Sequence, residues 1–122
     1  MLRNSDSWFL LADDGADAVA MALVSSFRED GGTGPVVPGT SFLNLIYVLP
    51  ERWGEGIGGQ ILDAVIGESA RHGNPRIHLW THERDNERAQ RLYARRGFIR
   101  TGRTLLIDAA EVTAEWVYEP QT

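Results

Sequence analysis

Neither cysteine nor lysine occurs in the 122 residues of this chain, and each absence closes off a class of chemistry. Without cysteine there is no disulfide framework, no thiolate metal site and no thiol to form an acyl-enzyme. Without lysine, a glycine-rich loop cannot be the phosphate loop of nucleotide triphosphatases, which needs Lys followed by Ser or Thr. The three histidines, His72, His78 and His82, are dispersed, so no metal site is expected. Long apolar runs are also lacking. The stretch 8–12 is far too short to span a membrane, and acids interrupt the N-terminus too early for a secretory signal, which implies a cytoplasmic protein. A net charge of −5 argues against a general nucleic-acid binder, because neutralising phosphates takes a basic face. What remains is 43% hydrophobic and suits one domain, residues 1–122, with a real core.

The most informative stretch runs from Leu43 to Gly59, LNLIYVLPERWGEGIGG. Its first half, with Leu43, Leu45, Ile46 and Val48, reads as a buried strand; its second half holds Gly54, Gly56, Gly58 and Gly59 before a helical pattern begins. Glycine admits positive φ, so such a loop can turn successive backbone N–H groups into one concavity, and the following helix adds the positive end of its dipole. The product is a phosphate site. A dinucleotide fold would need repeated strand-helix-strand units, and one such unit is visible here, from Leu43 to His82.

A second stretch, residues 86–98, reads NERAQRLYARRGF. Ala89, Leu92 and Tyr93 share a helical stripe, Gly97 occupies the place of a residue that ends a helix, and Phe98 opens the next strand. Together the two stretches resemble the GNAT superfamily of acyl-CoA-dependent N-acyltransferases, strongly over residues 41–100. The resemblance implies an α+β fold: a mixed sheet of about six strands, two main helices and a splayed parallel strand pair. It implies acetyl-CoA as acyl donor, a primary amine as acceptor, and direct attack within a ternary complex. It places the coenzyme against the backbone of Val48 or Leu49, the loop residues Trp53, Gly54, Gly56, Ile57, Gly58 and Gly59, and the side chains of Asn86 and Tyr93. Trp53 stands where the family pattern usually has Arg or Gln. Glu55 is expected to point to solvent, since a carboxylate beside a pyrophosphate costs about 1 kcal/mol even in water.

By the same resemblance Tyr93 protonates the leaving thiolate, a task for which a phenol is suited, and the backbone N–H of Val48 or Leu49 holds the acyl carbonyl. His82 or Glu83, just past the strand lining the cleft, is the candidate general base. His78 reads as an ordinary strand residue and His72 as a helix-end cation. Seven of the twelve arginines fall between Arg84 and Arg103; the simplest reading is a solvated helix face rather than a binding patch, whereas the family resemblance implies that one or two of them meet the coenzyme's 3′-phosphate.

In chain order, strands are expected at 7–12 and 19–24, a loop at 29–41 on the acceptor side, a strand at 41–49 and a helix from Ile57 to Ala70. A parallel strand at 77–81, a helix at 86–96 capped by Asp85 or Asn86, and a hairpin of 98–107 with 112–118 follow. The family's usual opening strand and two helices have no counterpart. An exposed edge near Trp8 and an open groove follow from that, and with them the expectation of a homodimer, or of a partner chain, that supplies the missing wall. The alternative function is a domain that binds acyl-CoA without transferring the acyl group.

Overall fold

A computed structural model of the chain describes residues 7–29, 33–83, 86–108 and 111–120. Six strands and two helices follow in the order β1 (Ser7–Asp13), β2 (Ala18–Arg28), β3 (Val36–Val48), α1 (Ile57–Arg71), β4 (Arg76–His82), α2 (Glu87–Arg95), β5 (Ile99–Asp108) and β6 (Glu111–Tyr118). They build one mixed sheet in the spatial order β1-β2-β3-β4-β6-β5, antiparallel except where β3 meets β4. The expected α+β architecture is therefore present, with the parallel pair at its centre. Among the described residues no helix is long and apolar enough to cross a membrane.

Strand alternation sends Ala20, Ala22 and Val24 of β2 to the face that α1 covers. There Leu62 and Val65 of the helix meet Ile77 and Leu79 of β4, all essentially without solvent exposure. The opposite face of β1–β3 carries an apolar row that no described residue covers. Phe9 pairs across to Leu23 and Leu23 to Leu45, with Leu11 and Tyr47 alongside; Phe9 and Leu11 are each 60% exposed.

The expected loop at 29–41 needs correction. Residues 30–32 lie outside the described residues, but Val36–Val48 is continuous strand, so 36–41 is extended rather than looped. Arg28 pairs with Val36 and Ser26 with Ser41, which leaves extra residues on β3 between those pairs. Pro38 and Gly39, the latter at φ 74°, fall in that bulge, where neither interrupts a ladder hydrogen bond. The last strand pair starts one residue later than expected, at Ile99, because Phe98 closes the preceding helix instead. The Phe98 N–H donates to the Tyr93 carbonyl at 3.0 Å and the Gly97 N–H to that of Ala94 at 3.1 Å, with Gly97 at φ 92°. This is the paired-bond helix stop that glycine makes possible, and its apolar contact is Phe98 on Tyr93, ring centroids 5.7 Å apart.

Candidate active site

The glycine loop is shaped by two residues at positive φ, Gly54 at 87° and Gly56 at 82°. Helix α1 then begins without a side-chain cap, and its first intrahelical bond is the Gln60 N–H to the Gly56 carbonyl at 3.1 Å. The amides of Ile57, Gly58 and Gly59 are left without carbonyl partners in the helix, at the positive end of its dipole. Two anchors hold the loop. The Trp53 indole donates to the Val48 carbonyl at 2.9 Å, while Arg52 clasps Glu55 at 3.0 Å and Asp14 at 2.8 Å. Glu55 is exposed and held by Arg52. Asp14 also accepts the N–H groups of Asp17 and Ala16, and these bonds, with Arg52, hold its carboxyl down at about 2.

A cavity of about 800 Å³ opens between this loop and α2. Val48, Trp53, Gly54, Gly56, Ile57, Gly58 and Gly59 line it from one side, and Asn86 and Tyr93 from the other, so nine of the expected site residues share one space. Arg88, Arg91 and Arg95 line it too, and all three are exposed, so this part of the arginine cluster is a solvated face that also borders the cavity. Arg88 sits 5.4 Å over the Trp53 ring. Among the described residues, neither Arg91 nor Arg95 has an acidic partner. Arg96 is tied to Asp63, Arg100 to Glu83, and Arg103 approaches Glu115, while Arg84 lies outside the described residues.

Asn86 stands at the N-cap of α2 without making the cap hydrogen bond; its amide donates to the Thr81 hydroxyl and fastens the helix start to β4. Asp85, the other cap candidate, lies outside the described residues. Tyr93 is 5% exposed, and burial pushes its phenol up to about 12. That keeps the proton on the oxygen at neutral pH, as a donor requires, and makes it a weaker acid than a free phenol. No hydrogen bond from the phenol to the described residues competes for it.

The parallel ladder between β3 and β4 has three pairs, Thr40 with Arg76, Ser41 with Ile77 and Phe42 with His78. Beyond them the strands part. The Leu49 N–H is bonded to the Val19 carbonyl at 2.9 Å, so it faces β2. Amides alternate along an antiparallel strand, which directs those of Val48 and Ile46 the other way, into the gap. Of the two amides expected to meet an acyl carbonyl, that of Val48 has the orientation for it.

His82 ends β4 and Glu83 follows it, and neither lines this cavity or the larger one on the far face of the sheet. Glu83 is engaged by Arg100, and its N–H by the Val112 carbonyl at 3.0 Å. The histidine built into a buried polar network is His78, bonded through Nδ1 to Glu115 at 3.1 Å. Sequence spacing could not reveal that pair, since 37 residues separate its members.

A sheet parted between two parallel strands, with a glycine loop and a helix N-terminus at the mouth of the gap, defines the class of N-acyltransferase folds. The family model for the acetyltransferase (GNAT) family matches residues 1–98, and the chain belongs to that family. Among solved structures, a GNAT-family protein from Desulfovibrio desulfuricans aligns with a TM-score of 0.79 at 23% identity, over 93% of this chain and 69% of that one. The ribosomal-protein-S18-alanine N-acetyltransferase of Escherichia coli aligns at 0.73 and 19% identity, over 95% and 70%. The PaiA N-acetyltransferase of Thermoplasma acidophilum, in complex with coenzyme A, aligns at 0.64 and 19%, over 90% and 60%. No curated protein matches the sequence.

Proposed function

We propose that this chain is a single acyl-CoA-binding domain that transfers an acetyl group from acetyl-CoA to a primary amine by direct attack in a ternary complex. The observation that carries the reading is the set of three amides, of Ile57, Gly58 and Gly59, opening on a cavity lined by Arg88, Arg91 and Arg95. Oriented amides and cations together suit a pyrophosphate and a further phosphate. In this reading Val48 donates to the acyl carbonyl, which stabilises the oxyanion, and Tyr93 returns a proton to the thiolate. Asn86 orients the coenzyme with its remaining amide valences.

Calorimetric titration with acetyl-CoA tests it. Micromolar affinity, about −8 kcal/mol, is the expected result, and absence of binding by the intact protein removes the reading. A second reading, binding without transfer, is favoured by the placement of His82 and Glu83 outside both cavities. Release of coenzyme A in the presence of an amine separates the two. We propose further that two copies associate, supported by the edge position of β1 and by Phe9 and Leu11 on it.

A further inference from the structure

The glycine loop carries no free cation of its own. From Trp53 to Gly59 its one charged residue is Glu55, and Arg52, which precedes it, is occupied by Asp14 at 2.8 Å and by Glu55 at 3.0 Å. Helix amides contribute only partial charge. A diphosphate seated on those of Ile57, Gly58 and Gly59 therefore needs a full positive charge from another element, and α2 lies alongside. A β-carbon on Gly58 would meet Leu92 Cδ2 at 3.3 Å, and one on Gly59 would collide with the Arg96 guanidinium. Arg88, Leu92 and Arg96 are spaced by four, so this stripe of α2, continued just past its end, runs along the loop. Arg96 is tied to Asp63, which leaves Arg88 as the stripe's cation without an ion pair among the described residues.

Arg88 is nevertheless held in place. Trp53 is pinned at one edge by its indole bond to the Val48 carbonyl, while its ring stays 53% exposed, and the Arg88 guanidinium sits over that ring. The pair joins the loop wall of the 800 Å³ cavity to its α2 wall. The ring's quadrupole attracts the cation, and no hydrogen bond to the described residues uses the five N–H donors of Arg88. A cation fixed in position with its donors unbonded is preorganised for an anion. Arg91 and Arg95 border the same cavity, but among the described residues no ring contact or ion pair holds either of them.

We infer that Trp53 is the positioning residue for Arg88, and that Arg88, held on the indole ring, supplies the full positive charge that faces the coenzyme's pyrophosphate. The inference rests on the coenzyme-binding reading above. Tryptophan at the loop position where the family pattern has Arg or Gln thus changes the source of the cation from the loop to α2. Contiguity selects the pyrophosphate over the 3′-phosphate. Trp53 adjoins Gly54 in the chain, and Leu92, next on the stripe of Arg88, packs on Gly58, whose amide is one of the three that open on the cavity.

Calorimetric titration of the full chain with coenzyme A and with dephospho-coenzyme A, which lacks the 3′-phosphate, tests it. The wild type should bind both. Arg88→Ala should weaken both by the same factor, about tenfold or more, as loss of a charge-assisted contact requires. Trp53→Leu should weaken both about two- to fivefold, the worth of an exposed cation–π contact, and should cost nothing further once Arg88 is alanine. Trp53→Arg should return the Arg88→Ala protein to within about threefold of wild-type affinity, a rescue that a merely structural tryptophan would not give. Unchanged affinity in Arg88→Ala overturns the assignment alone, and so do additive losses in the double variant or a loss confined to coenzyme A. A wild type that binds neither ligand overturns it together with the coenzyme-binding reading. Should Trp53→Leu fail to fold, the Trp53→Arg rescue of Arg88→Ala decides: its success supports the assignment and its failure overturns it.

Discussion

The guanidinium of Arg96 lies across the first turn of α1, where a β-carbon on Gly59 would collide with it, and its Nε holds Asp63 Oδ1 at 2.9 Å. The cation that follows α2 is thus packed against Gly59 in the first turn of α1. Gly59→Ala must displace it. Loss of the exposed ion pair costs about 0.2–1 kcal/mol, and alanine in place of a helical glycine returns about 1. The melting temperature should therefore move by no more than about 3 °C. Acetyl-CoA affinity should fall several-fold, as in Arg96→Ala, with the double variant no worse than either single one. Additive losses by calorimetry would show that the two residues act separately.

Tyr93→Phe should lower turnover about 10²-fold or more and leave acetyl-CoA affinity within threefold, if the phenol supplies the thiolate's proton. Unchanged turnover would reduce it to packing against Phe98 and Trp116.

The same ring makes a separate statement about stability. Its folded value of about 12 lies above the ordinary value of 10.0, so the neutral phenol's contribution is complete below pH 10 and is lost as pH rises through 12. The loss amounts to roughly 2–3 kcal/mol. Urea midpoints at pH 8 and 11.5 should converge between wild type and Tyr93→Phe, or cross. A parallel decline of both would contradict the buried phenol.

Asp14 behaves in the opposite sense. Its carboxyl is depressed from 3.8 to about 2 by the Asp17 and Ala16 amides and by Arg52, so its contribution is present above pH 3.8 and is lost as pH falls through 2. Asp14→Asn should lower the urea midpoint at pH 7, and the difference from wild type should shrink between pH 4 and 2. It should also weaken acetyl-CoA binding modestly, because Arg52 would then hold the loop through Glu55 alone. A midpoint difference that persists unchanged to pH 2 would place the effect elsewhere.

Sedimentation at ten micromolar should show a dimer, and Leu11→Glu should shift it to monomer by placing a charge on the exposed row of β1. A wild-type monomer that transfers acetyl groups unaided removes the motive for association.

The strand, loop and helix around Gly54–Gly59 were legible because each carries its own periodicity or backbone requirement, and so was the stop at Gly97. Val36–Ser41 was not legible. Pro38 and Gly39 are loop signals locally, and only the bulge between the Arg28 and Ser41 pairings makes them compatible with a strand. The spacing of Arg88, Arg91 and Arg95 marks one helical stripe, but spacing cannot say that a solvated stripe also borders a cavity. His78 and Glu115 escaped notice for a related cause: antiparallel pairing of β4 with β6 brings them together, and no local pattern encodes that register.

Three ladder pairs are all that join β3 to β4, and that seam has a mechanical consequence. The sheet is two three-stranded ribbons, β1–β3 and β4–β6, with α1 as the strap between them. Apart from the strap, little resists a slight scissoring of the ribbons about Phe42 and His78, so the amides of Ile46 and Val48 should exchange with solvent early. A ligand filling the gap acts as a wedge that fixes the opening angle, and slower exchange at those two amides would record its arrival before any chemistry is measured.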